Sequence, residues 1–192
     1  MYRFIMVLLL FFFLTPMSLL AESEDEGENI DDLWNEYTIM PGDFDHPDAP
    51  RFEQFKVPLK FTGKPAPVNL DSHPDAKNWQ TMLRAANEKG PNFADHITVA
   101  TWGCGMACTG IAFIDARDGR VYFADNLTTN VTVNVHNDVM DNTLIFHRDS
   151  NLLIAAGCPN EECTTRRGVN YFIWTGTGLK EIFRVPRGWY PE

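Results

Sequence analysis

The sequence predicts an α+β domain dominated by β-structure: an antiparallel meander, forming an open sheet or partly closed barrel, with one helix packed on it. Three observations carry this. From His96 onward, β-branched and aromatic residues recur in short runs that fit a pleated surface. The gaps between these runs are short and turn-rich, whereas parallel pairs need long crossovers. Upstream, Trp79, Met82, Leu83 and Ala86 fall at i, i+3, i+4 and i+7, a single apolar stripe of helical period.

Residues 1–21 read as a secretory signal peptide. Arg3 supplies the positive start, Phe4 to Leu14 the apolar stretch, and Ala21 a small residue at the cleavage point. Thr15, Pro16 and Ser18 interrupt the apolar run short of the ~20 residues that a spanning helix needs, so no stable membrane anchor is expected. Residues 22–32 carry seven carboxylates (Glu22, Glu24, Asp25, Glu26, Glu28, Asp31 and Asp32) and no Lys or Arg, the composition of a disordered acidic segment. These seven account for most of the chain's formal net charge of −10, so the domain behind them is only mildly acidic.

Residues 33–67 form a Pro-punctuated, aromatic-bearing arm that should run extended over the surface, with an edge strand from Glu53 to Phe61 where Pro58 is tolerable. Residues 68–192 form a single β-rich domain of ordinary size. Its helix starts near Ser72-His73-Pro74 and stops at Gly90-Pro91, with Trp79 and Met82 expected to pack on the sheet. Strands follow at 97–102, 110–115, 120–123, 131–135, 143–147, 152–156, 170–174 and 179–184. Asp118-Gly119 between apolar runs is a strong hairpin signal, and Thr175-Gly176-Thr177-Gly178 turns the last hairpin.

The candidate functional residues begin with the cysteines. Cys104/Cys108 and Cys158/Cys163 make two tight pairs, which in an exported chain read as disulfides. Four cysteines allow three connectivities, and the short spacings favour 104–108 with 158–163. In an extended strand Cys104 and Cys108 would lie about 13 Å apart, and a disulfide needs Cα atoms within about 7 Å. The chain must therefore fold back between them, a freedom that Gly103 and Gly105 supply. A Cys104–Cys158 link instead would require two strand ends to meet.

Other chemistries are weaker. A redox dithiol places its first cysteine at a helix N-terminus, but Thr109 to Asp115 reads as strand. Cys104, Met106 and Cys108 with His96 or His136 form a soft set suited to copper(I), yet the spacing fits no closed zinc pattern, and neither metal nor cofactor is expected. A Cys–His pair cannot be read from sequence because spatial neighbours are not visible there. Nucleic acid is excluded as a partner, since Arg166-Arg167 is the only adjacent basic pair and the overall field repels phosphate. Asn126-Leu-Thr128 and Asn130-Val-Thr132 match the N-glycosylation pattern, with ordinary strand-flanking turns as the bland alternative.

Leu83-Arg84-Ala85-Ala86, Gly90-Pro91-Asn92-Phe93-Ala94, His96, Trp102-Gly103-Cys104-Gly105 and Cys108 follow one another in order. So do Ile114-Asp115-Ala116, Gly119-Arg120-Val121-Tyr122, Asp149-Ser150-Asn151-Leu152-Leu153 and Gly157-Cys158-Pro159. From Ala76 to Arg184 the chain resembles a family of small exported proteins of Gram-negative bacteria with a Trp-Gly-Cys-Gly-x-x-Cys core. That family usually has Gly before the His and an aromatic after it, where this chain has Asp95 and Ile97. The resemblance implies export and a β-rich fold, and brings no activity with it.

The expectation is a periplasmic or secreted, disulfide-stapled protein that binds another macromolecule or envelope component, as an inhibitor or immunity protein would. Cys104, Cys108, Cys158 and Cys163 act as staples, and His96, Trp102 and Met106 are candidate binding residues. The competing expectation is a redox, metal-binding or enzymatic protein working through the Cys104–Cys108 loop.

Overall fold

A computed structural model describes residues 35–188. The signal peptide and the acidic segment expected from the sequence lie outside the described residues. Eight strands form one antiparallel sheet: β1 (Ile97–Gly105), β2 (Cys108–Asp115), β3 (Val121–Tyr122), β4 (Thr129–Val131), β5 (Leu144–Phe146), β6 (Leu152–Pro159), β7 (Gly168–Trp174) and β8 (Leu179–Pro186). The path runs β1-β2-β4-β6-β7-β8, with β3 paired to β2 and β5 to β6. The sheet is open, so of the two predicted forms the barrel is not the one adopted.

Three-residue β4 is the seam between two half-sheets. It pairs with β2 through Val131–Cys108, Asn130–Thr109 and Thr129–Gly110, and with β6 through only Asn130–Pro159 and Val131–Cys158. The sheet curls so that the inner faces of both halves share one apolar core, with Ile97, Val99, Ile111 and Phe113 from one half and Leu153, Ala155, Phe172 and Trp174 from the other. Phe113 and Trp174 meet with ring centroids 5.0 Å apart.

Each outer face has its own cover. Helix α1 (Gln80–Glu88) lies on β1 and β2, where Leu83 packs with Ala100, Trp102, Ala112 and Ile114. The N-terminal arm covers the other half, packing Ile39, Phe44, Phe52 and Phe55 against Leu152, Ile154, Val169 and Tyr171. Burial on both faces explains why β2 and β6 read as near-continuous apolar runs rather than strict alternation.

Several local expectations are corrected. Met82 is 47% exposed rather than packed on the sheet; the stripe is rotated so that Leu83 takes the central contact. The expected edge strand from Glu53 to Phe61 is a 3-10 turn, Phe52–Phe55, followed by an isolated bridge between Lys56 and Ser150. β4 begins before the predicted 131–135 run, because Thr129 and Asn130 pair with β2, while Val135 bridges to Ile39 of the arm instead. The β2–β3 hairpin forms at Asp118-Gly119 as expected. Gly119 has φ +77°, and a Cβ there would collide with the Pro67 carbonyl, so both backbone conformation and close approach require glycine.

Among the described residues there are also short helices α2 (Asn137–Met140) and α3 (Cys163–Arg166) and 3-10 turns at Pro41–Asp45 and Pro74–Lys77, the second standing where the sequence expected the start of α1. The arm is tied to the sheet by charge as well as packing. Buried Arg167 donates to the carbonyls of Tyr37, Asn134 and Gly188. Arg187 forks onto Asp43, its Nε donating to Oδ2 at 2.8 Å and its Nη2 to Oδ1, a bidentate geometry that guanidinium and carboxylate match well.

Candidate functional site

The structure separates the predicted site residues along the β1–β2 hairpin. Cys104 and Cys108 are disulfide-bonded at its tip, with Cα atoms 5.1 Å apart, and Cys158 and Cys163 are bonded with Cα atoms 4.8 Å apart. Both local pairings favoured by the sequence form. Two disulfides in a chain of this size fit an oxidising, extracytoplasmic environment. No helix among the described residues is long and apolar enough to cross a membrane.

At the tip the chain folds back with Gly105 at φ +143° and Ala107 at φ +52°. Met106 stands at the apex, 97% exposed. Trp102 lies below the tip and turns inward. Its ring stacks on Trp79 at 4.7 Å and meets Phe123 edge-on at 6.4 Å, so it belongs to the core beneath α1.

His96 sits at the opposite end of β1, about 26 Å from Cys104 at the usual rise per residue. Its Nδ1 faces Asp95 Oδ2 at 3.4 Å and its Nε2 faces Asp115 Oδ2 at 3.8 Å. Both carboxylates are committed to other donors. Asp95 Oδ1 accepts from the backbone N–H of Lys60 at 2.6 Å and of Phe61 at 2.9 Å. Asp115 accepts from the Arg117 backbone N–H at 2.9 Å, from Nε at 3.0 Å and from Nη2 at 2.6 Å.

These donors set the acidity of the pair. For Asp95, burial pushes the carboxyl up, but the amides of Phe61 and Lys60 together with His96 outweigh it and hold it below its ordinary value. For Asp115, burial again opposes, and the Arg117 side chain and backbone N–H prevail, with His96 contributing. The turn before His96 is strained, since Ala94 (φ +45°) and Asp95 (φ +69°) are both left-handed and neither is glycine. It is held by bonds from Ala94 N–H to the Ser150 carbonyl at 3.1 Å and from Asp95 N–H to the Arg148 carbonyl at 2.7 Å.

The strained turn, residues of the 57–62 segment, Arg117, Asn151 and Trp174 line an open cleft of about 630 Å³. Its outer wall is pinned: Val57 N–H donates to the Asp149 carbonyl at 2.8 Å, and Arg148 Nη2 to the Phe61 carbonyl at 2.8 Å. Sequence reasoning picked out His96 but missed Asp95, Asp115 and Arg117 as its companions. Asp115 and Arg117 flank the predicted hairpin, and pairing Ile97 with Asp115 across β1–β2 would have brought them to His96.

Among the described residues no group of three or more His, Cys, Asp or Glu side chains is placed to hold a metal ion. The glycosylation triplets also resolve differently in space. Asn130 is fully buried with its Nδ2 donating to the Ala156 carbonyl at 2.9 Å, and Asn126 Nδ2 donates to the Leu179 carbonyl at 3.1 Å. The chain matches no known family model, no curated protein and no solved structure.

Proposed function

We propose that this is an exported, disulfide-stapled binding protein of the periplasm or extracellular space that engages a macromolecular or envelope partner through the tip of its β1–β2 hairpin. The observation that carries the reading is Met106, 97% exposed at the apex of a ring closed by Cys104 and Cys108. The covalently clamped loop that presents this side chain loses little backbone freedom on binding. Methionine's unbranched, polarizable side chain adapts to an apolar pocket on the partner. An inhibitor- or immunity-like role fits such a protruding, pre-organised loop.

The competing redox or metal reading needs the Cys104–Cys108 pair as thiolates, and it predicts two reactive thiols in material taken from the envelope. The test is affinity capture from envelope extracts with the wild-type protein, Met106→Asp, and Cys104→Ser/Cys108→Ser. A partner retained by the wild type and weakened at least about tenfold by either change is expected, as for an anchor at the centre of an interface. Equal capture by all three, or two free thiols that retain metal, overturns the reading.

A further inference from the structure

The cleft at the base of β1 has an imbalance of hydrogen-bonding groups. Its lining carboxylate, Asp95, is engaged by the Lys60 and Phe61 amides and faces the His96 ring, and Asp115, buried behind the wall, is engaged by Arg117 and faces the same ring. Its cations are not fully used. Among the described residues Lys60 Nζ makes no ion pair, and Arg117 spends Nε and Nη2 on Asp115 while Nη1 has no partner. Both side chains line the cleft, beside the apolar surfaces of Val57, Phe61 and Trp174. A volume of about 630 Å³ is in the range of small-molecule sites.

We infer that this cleft binds a small amphipathic monoanion, with a carboxylate-type head held by Lys60 and Arg117 and an apolar body laid against Phe61 and Trp174. The free donors are cationic, so the incoming head must be an acceptor with negative charge. The Asp95 carboxylate in the wall, with buried Asp115 behind His96, disfavours a doubly charged phosphate head more than a singly charged one. The pinned wall and the strained 94–95 turn pre-organise the site, so little ordering accompanies binding. This site lies at the far end of the hairpin from Met106 and stands independently of the role proposed for the tip.

The experiment compares 4-phenylbutyrate, 4-phenylbutylamine and 4-phenylbutanol, which share one apolar body and differ only in the head. Binding to the disulfide-intact protein is followed by two-dimensional amide NMR at Phe61, Thr62 and the Trp174 indole N–H. The butyrate is expected to bind at about 1 mM or tighter, as its size allows, and the amine and alcohol about tenfold more weakly. Lys60→Gln, whose exposed side chain holds no other group, should weaken the butyrate about fivefold with an unchanged thermal midpoint. Met106→Asp should leave it unaltered. Equal binding of the three heads, shifts confined to residues outside the cleft, or no shift at about 10 mM butyrate overturns the inference.

Discussion

Cys108 and Cys158 lie in one row of the sheet, each paired with Val131 of β4 from opposite sides. Two strand spacings put them about 10 Å apart, beyond the ~7 Å that a disulfide tolerates. The non-local pairing of these two residues is therefore blocked by the three-residue strand between them, and each cysteine closes a short ring instead. The rings brace the seam on both sides, at the place where the two half-sheets share the fewest backbone pairs.

Non-reducing peptide mapping should accordingly find Cys104 linked to Cys108 and Cys158 to Cys163. Loop entropy for rings this short is worth about 2 kcal/mol each. Replacing Cys104 and Cys108 with Ser should cost about that amount, because the tip is exposed. Replacing Cys158 and Cys163 should cost more, since Cys158 is fully buried and a serine hydroxyl there loses solvation. Denaturant unfolding of the two double variants checks the order, and equal losses would show that the seam does not depend on its staple.

Gly110 faces the indole of Trp102. A methyl at residue 110 would fall 2.5 Å from Trp102 Cε2, and the ring has no retreat because Trp79 and Phe123 pack around it. Gly110→Ala should destabilise the protein by about 1–3 kcal/mol, the usual range for overpacking a filled core. The near-ultraviolet circular dichroism should change with it as the stacked indoles shift. An unchanged midpoint and spectrum would mean that the Trp79–Trp102 stack is loose.

Period and turn chemistry made most of the sheet legible. The runs at Ile97, Ile111, Leu152 and Leu179 are strands, and Gly119 makes the turn that its Asp-Gly context predicts. What was not legible depends on tertiary partners. Phe52–Phe55 carries extended-looking residues, yet its aromatics are drawn down onto Leu152 and Tyr171, which a 3-10 turn permits and an edge strand would not. Met82 and Leu83 satisfy the same helical stripe, and only the position of the sheet decides that Leu83 is the buried one. Of the cleft, His96 stood out by residue type alone; Asp115 becomes its neighbour only through the register of β1 against β2.

The arm should detach when its ion pair is cut. Asp43 accepts from Arg187 and also from the Met40 backbone N–H at 2.8 Å. Asp43→Ala leaves Arg187, itself mostly buried, without its carboxylate and the 3-10 turn Pro41–Asp45 without the bond from the Met40 N–H. A loss of about 2–4 kcal/mol is expected, somewhat less than for a fully buried pair. Limited proteolysis should then cut first between residues 46 and 60 while the sheet remains intact. Cleavage elsewhere, or a resistance equal to the wild type, would show that Ile39 and the aromatics hold the arm without help.

Acid should loosen the cleft wall before it unfolds the sheet. Asp95 and Asp115 both have folded-state pKa values held below the ordinary carboxylate value of about 3.9. In that window the unfolded chain binds more protons than the folded one, so stability is full above about pH 5 and falls as pH drops through the folded values. Asp95 is the anchor for the Lys60 and Phe61 amides, so its protonation weakens the hold on the outer wall, whereas Asp115 is additionally clamped by Arg117. The thermal midpoint should therefore decline from pH 5 to pH 2.5, and amide exchange at Lys60 and Phe61 should accelerate ahead of exchange in β6 and β7. Asp95→Asn, which keeps an acceptor but cannot titrate, should flatten the decline and remove the early exchange at those two amides. A midpoint that stays level or rises as the solution is acidified would mean that other groups, and not this pair, govern the protein's response to pH.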